Sequence, residues 1–192
     1  ILAEALKAGR AGVYVCTDDF PEGIRRSMSL MGVDARSLEE LGRLVLVDCY
    51  SSQAKLKSRE KHFVEEFNLQ NLSITLSGLL SKGCHVVFLD SITTLLRVFG
   101  VQATTEFLGI FAVRVRAQEA LNAFLKLNRG AFHPTVVASL GSIVDGVIET
   151  RREEAQKTLQ YHLRILMMRG AEYSPAWKPY QMSLEQGLTE VT

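Results

Sequence analysis

The sequence predicts an α/β fold: a mostly parallel sheet with antiparallel strands toward its C-terminal end. Three observations carry this. Short apolar runs without polar alternation, Val13-Tyr14-Val15-Cys16-Thr17, Arg43-Leu44-Val45-Leu46-Val47-Asp48-Cys49 and Val86-Val87-Phe88-Leu89-Asp90, have the pattern of strands buried on both faces. Segments with apolar residues at helical spacing separate them. From Gly141 onward the texture changes to strand-like runs punctuated by Asp145-Gly146, Arg169-Gly170 and Ser174-Pro175, the chemistry of turns. Several βα units followed by strands of this kind point to an α/β sheet extended by hairpins. At 192 residues, 47% of them hydrophobic, the chain is expected to form one domain over 1–192.

In order along the chain, residues 1–8 favour a helix, with Gly9 suited to the position after its end. Strand 13–17 follows. Pro21 and Glu22 suit a first helical turn, Ile24, Met28 and Met31 recur at helical spacing, and Gly32 stops the pattern. Residues 33–42 read as a polar connection and 43–49 as a second strand. Residues 50–62, rich in Ser, Lys and Arg, read as a solvated loop. Leu69, Leu72, Leu76, Leu79 and Leu80 form a helical stripe ended by Gly83, before strand 84–90. Residues 91–99 and 104–118 read as helices separated at Gly100. By periodicity alone, 120–127 fits helix and strand equally. Residues 134–140 read as a short helix, and 144–150, 159–166 and 178–184 as strands. The chain starts mid-pattern at Ile1, so a trimmed N-terminus is expected.

A net charge of +1 with 22% charged residues gives no bulk bias toward nucleic acid or an anionic membrane. No apolar stretch reaches the roughly 18 residues of a membrane span, and no signal peptide is evident. Cys16, Cys49 and Cys84 lie in or beside apolar runs without CxxC spacing. Buried reduced thiols are the expectation, and with them a reducing, cytoplasmic compartment. Four scattered histidines offer no metal-ligand spacing.

Two apolar runs end in acid, and ligands of open α/β sheets bind beyond the carboxyl ends of strands. Asp90 ends the most hydrophobic strand. There it fits two roles, holding a Mg²⁺-bound water beside a phosphate or capping the helix that starts near Ser91. Asp18 and Asp19 fit either the positioning of an attacking water or the capping of the helix after Pro21. Arg169, before Gly170, fits a phosphate-reaching arginine or an ordinary surface turn. The run Lys55, Lys57, Arg59, Lys61 reads as a solvated loop against a nucleic-acid patch. Trp177 and Tyr180 read as packing residues. A receiver domain carries similar acids, but the strand and long helix between Asp19 and Asp90 are too much chain for that compact order.

In order and together, these segments resemble the KaiC-like branch of the RecA superfamily of P-loop ATPases, over nearly the whole chain. Gly12-Val13-Tyr14-Val15-Cys16-Thr17-Asp18-Asp19-Phe20-Pro21-Glu22 is similar to the family's strand that ends in a Glu-Glu pair. Val86-Val87-Phe88-Leu89-Asp90-Ser91-Ile92-Thr93 resembles its Walker B strand. Val144-Asp145-Gly146-Val147-Ile148-Glu149 resembles a later strand. Ile165-Leu166-Met167-Met168-Arg169-Gly170 resembles its Lys-x-Arg-Gly segment, which reaches the neighbouring subunit's ATP. The resemblance implies a RecA-like three-layer fold and makes 120–127 a strand. It implies ATP and Mg²⁺ as cofactors, bound by Asp90 and Ser91 with Asp90 toward the metal. Asp18, Asp19 and Arg169 become the catalytic candidates. It also implies a homo-oligomeric ring or filament that signals to a protein partner. A non-catalytic assembly relative, and a recombinase-like DNA-binding ATPase resting on the basic run, are the alternatives.

Three departures from the family pattern bear on activity. The Gly-rich loop with its Lys and Ser/Thr is not in these 192 residues. The family would place it just before Ile1. The acidic pair is Asp-Asp, one methylene shorter on each side chain. Met167 stands at the finger lysine position. Weak or no hydrolysis is the expectation. The central requirement is that Asp18 or Asp19 and Asp90 emerge on one rim of one parallel sheet.

Overall fold

The structure, a computed structural model, describes residues 1–80, 83–155, 158–183 and 187–190. It divides into two compact units, Ile1–His133 and Pro134–Thr192.

The first unit is a five-stranded parallel sheet with helices in its crossovers. Its strands are β1 (Gly12–Cys16), β2 (Leu44–Asp48), β3 (His62–Phe63), β4 (Val86–Asp90) and β5 (Asn122–Leu125), in the order β3-β2-β1-β4-β5. The three apolar runs are the three central strands, as a sheet covered on both faces requires. Val15, Val47, Val87 and Leu89 are fully buried. On the face set by the alternate residues, Cys16, Leu44, Leu46 and Val86 join Leu2, Leu6, Met28, Val33 and Ala35 in one cluster. Those partners come from helices α1 (Leu2–Lys7), α2 (Pro21–Leu30) and α3 (Ala35–Glu40) and the turn before α3. Gly12 is small for a reason: a Cβ there would meet Leu2 Cδ1 at 2.5 Å, so α1 lies directly on the start of β1. Helix α4 (Tyr50–Gln53) follows β2. Helix α5 (Leu69–Leu80) buries Leu72, Leu76, Leu79 and Leu80. Helices α6 (Ile92–Phe99) and α7 (Val101–Arg116) meet at Gly100, whose φ of 81° is a conformation that glycine adopts cheaply.

Two local expectations need correction. Residues 33–42 hold α3: the Asp34 side chain accepts from the Ser37 backbone N–H, a capping signal inside a polar stretch. Residues 50–62 are not wholly loop, since α4 opens them and β3 closes them. The strand that the resemblance implies within 120–127 is present as β5, Asn122–Leu125, at the sheet edge.

In the second unit, α8 (Pro134–Gly141) precedes β6 (Gly146–Ala155), β7 (Thr158–Met168), β8 (Lys178–Ser183) and β9 (Gly187–Glu190). The antiparallel strands follow as expected, but they pair among themselves, in the order β6-β7-β8-β9, as a second sheet. The strand expected from Val144 begins at Gly146, where a Cβ would meet Met168 Sδ at 2.8 Å across the ladder. It then runs on through Arg151, Arg152, Glu153 and Glu154. Leu184, the last residue of the expected strand 178–184, lies outside the described residues, and β9 was not expected. Trp177 does pack: Arg151 and Arg164 stack on its ring at 4.0 and 4.5 Å.

Candidate functional site

Parallel register places the acids together. Cys16, the last residue of β1, is level with Asp48 of β2 and Asp90 of β4. The chain therefore leaves all three central strands at one rim, and the Thr17 backbone N–H donates to the Asp90 carbonyl at 2.8 Å. Period-two alternation decides the rest. Phe88 is level with Phe124 and Leu89 with Leu125, so Asp90 and Lys126, the next residues in line, share a side of the sheet with the aromatics below them. Tyr14, Phe88 and Phe124 stack in a row at centroid separations of 5.3 and 6.4 Å. Above that row, Lys126 Nζ lies 2.5 Å from Asp90 Oδ1 and 3.9 Å from Asp18 Oδ2. Asp90 Oδ2 accepts from the Tyr14 hydroxyl at 2.5 Å. Oδ1 is shielded from solvent and receives no well-directed hydrogen bond; the ammonium is its partner.

Asp18 is held from the other side. Its Oδ1 accepts from Thr94 Oγ1 at 2.6 Å and its Oδ2 from Ser91 Oγ at 2.8 Å. The Ser91 N–H in turn donates to Thr17 Oγ1 at 2.5 Å. Partial burial pushes the Asp18 carboxyl up, but the bonds from Thr94 and Ser91, the Lys126 charge and the nearby Thr17 hydroxyl outweigh it and hold the group below the ordinary carboxylate value. Burial, and next the bond to Asp90, push the Tyr14 hydroxyl up, so it remains a donor. Asp48, on the same rim, is fully engaged by the Ser51 backbone N–H and hydroxyl and by the Ser58 hydroxyl at 2.6–2.9 Å.

The structure thus brings together Asp18, Asp90 and Ser91. Asp90 does not cap α6: the residue at that position is Ser91, with no side-chain bond to the helix. Asp19 is turned toward α2, accepting from the Phe20 N–H at 2.7 Å with its carboxylate against Gly23. Arg169 belongs to the second unit, where it donates to the Ser142 carbonyl at 2.8 Å and pairs with Asp145 at 3.6 Å. Sequence reasoning missed Lys126, Tyr14 and Thr94. Lys126 had a signal: Phe124-Leu125-Lys126 repeats the spacing of Phe88-Leu89-Asp90.

Among the described residues no group of three His, Cys, Asp or Glu side chains could cage a metal. Two converging carboxylates, one with a shielded oxygen already facing a cation, do fit a hard ion that takes its other ligands from water and phosphate. The three cysteines are free and buried, and burial raises all three thiols. No helix among the described residues is long and apolar enough to cross a membrane.

The sequence matches the family described as "ATPase: KaiC" over residues 1–189. The chain belongs to that family. This KaiC-like, RecA-superfamily membership agrees with its relatives in sequence. It is 26% identical over 197 residues to the UPF0273 protein PH0284 of Pyrococcus horikoshii, spanning 95% of this chain and 74% of that protein. It is 23% identical over 193 residues to a UPF0273 protein of Thermotoga maritima, spanning 93% and 74%. Among solved structures, the KaiC-like protein PH0186 of Pyrococcus horikoshii superimposes with a TM-score of 0.75 at 22% identity, covering 98% of this chain and 79% of that one. That likeness shows that the KaiC-like chain has the same RecA-type α/β fold.

Proposed function

We propose that this chain is the ATP-binding core of an oligomeric regulatory ATPase with weak hydrolysis. The observation that carries the reading is the convergence of Asp90 and Asp18 on one cation at the carboxyl rim of the parallel sheet, 2.5 and 3.9 Å from Lys126 Nζ. That is where nucleotides bind in open α/β sheets. Bound Mg²⁺ would supply charge neutralisation at the phosphates. Asp90, ending a strand like a Walker B strand, would hold it through water, and Ser91 keeps the Asp18 carboxylate in place beside it.

Asp18 is the better placed of the acidic pair to orient an attacking water. A carboxylate held below its ordinary pKa is a poor proton acceptor, so it aligns a water more than it activates one. Asp19 would have to leave α2 to take part. Arg169 would act across a subunit boundary after releasing Asp145 and Ser142, with no cationic partner at Met167. Both features favour slow turnover, a property suited to a nucleotide-timed switch in a ring or filament that a protein partner reads.

The test uses the full-length protein. Mg-ATP should bind with micromolar affinity by calorimetry, and Asp90→Asn should lower turnover at least about tenfold. Absence of ATP binding would favour the second reading, a non-catalytic assembly module, which the internally neutralised acids also accommodate.

A further inference from the structure

Lys126 marks the cation position in the function proposed above but has no role of its own there, although its ammonium lies 2.5 Å from Asp90 Oδ1. It directly follows β5, the strand beside the one that ends in Asp90, and continues the register that sets Phe124 level with Phe88. Its side chain is 52% exposed, whereas Asp90 is 16% exposed. The acid is therefore fixed, by Tyr14 and the sheet, while the amine is on a flexible stem that reaches water. We propose that Lys126 is a built-in rival of the divalent cation: its ammonium occupies the position between Asp90 and Asp18 and must swing out before a divalent ion takes that position.

Asp90 Oδ1 is hidden from solvent and faces only this ammonium. A unit positive charge within 2.5 Å of one oxygen and 3.9 Å of another cancels much of the field that would attract a hard cation. A divalent ion cannot share so small a space with it. The exposed stem makes displacement possible, so metal loading and lysine release become one event. The lysine position then reports on the metal, and the segment after β5, in which the Asn128 backbone N–H donates to Thr93 Oγ1 at 2.8 Å, is the element that would feel it.

The inference rests on the reading that Asp90 and Asp18 face a cation, and its test is arranged to be read without nucleotide. Mn²⁺ is titrated into the full-length protein and free Mn²⁺ is followed by electron paramagnetic resonance, for wild type, Lys126→Met, Lys126→Arg and Lys126→Met with Asp90→Asn. Lys126→Met should bind Mn²⁺ at least about tenfold tighter than wild type, a modest fraction of the repulsion that Coulomb's law gives at this range. Lys126→Arg should stay near wild type, and adding Asp90→Asn should return Lys126→Met to weak binding. Equal or weaker Mn²⁺ binding by Lys126→Met, or no binding by either protein, overturns the proposal. If Lys126→Met does not fold, Lys126→Gln takes its place under the same criteria. Failure of the ATPase reading looks different: no ATP is bound, yet the Mn²⁺ difference persists. Failure of the lysine inference alone leaves ATP bound and Mn²⁺ affinity indifferent to residue 126.

Discussion

Replacing Asp18 with alanine should destabilise the fold by about 2 kcal/mol. The carboxylate accepts from Thr94 Oγ1 at 2.6 Å and Ser91 Oγ at 2.8 Å, and both donors belong to buried residues. A buried polar group left without its partner costs about 1–3 kcal/mol. Two such groups would give more, but the Asp18 side chain is 33% exposed, so water entering its place recovers part of the loss. Urea denaturation of wild type, Asp18→Ala, Thr94→Val and the double variant measures both terms. The double variant should be less destabilised than the sum of the single ones by about 1 kcal/mol, the sign of a direct contact. The pH dependence has a definite direction. Burial raises the Asp18 carboxyl, the bonds from Thr94 and Ser91 and the Lys126 charge outweigh that rise, and the net shift is downward. Its contribution is therefore fully present above the unfolded value, near about pH 4, and is lost as pH falls through the lower folded value. The gap between wild type and Asp18→Ala should hold from neutral pH to about pH 4 and close below it. A change under about 0.3 kcal/mol at pH 7, or strict additivity with Thr94→Val, would refute the geometry described for this carboxylate.

Two further outcomes follow from groups outside the rim. Arg25 bridges Glu39 at 2.7 Å and Glu60 at 2.5 Å and its side chain is only 11% exposed, so Arg25→Met should cost about 1–3 kcal/mol in thermal or urea melts, by leaving two half-buried acids without their cation. Cys16, Cys49 and Cys84 are buried, with thiols that burial holds protonated, so a disulfide reagent at pH 8 should label all three only at the rate of unfolding; fast labelling of the native protein would contradict their placement.

The central strands were legible because burial on both faces leaves no room for alternation: Val13 to Cys16 and Val86 to Leu89 are continuous apolar runs with no other good interpretation. The rim followed, since parallel strands in register end together, and this brought Asp18 to the same rim as Asp90. What the sequence did not disclose depends on pairing between distant segments. Lys126 meets Asp90 only because β5 lies beside β4 with Phe124 level with Phe88. Periodicity alone left 120–127 open between helix and strand, and the resemblance that made it a strand gave no register, so the side of the sheet that Lys126 would occupy was undefined. Thr94 reaches Asp18 because α6 starts directly after Asp90, a local fact hidden by the long separation of the two partners. Asp19 was indistinguishable from Asp18 in sequence, and it is the bond to the Phe20 N–H and the seat against Gly23 that turn it toward α2. Helix α3 escaped because its stabilising face is short and its cap, Asp34, sits among other polar residues.

The account depends above all on Asp90 meeting a metal-bound nucleotide at the carboxyl rim of the parallel sheet. Steady-state turnover of Mg-ATP by the full-length protein, wild type against Asp90→Asn, addresses that most directly. Asparagine can still accept from Tyr14 while carrying no charge for the cation, so folding should survive and turnover should fall at least about tenfold. Equal turnover by a folded Asp90→Asn protein would place the chemistry elsewhere.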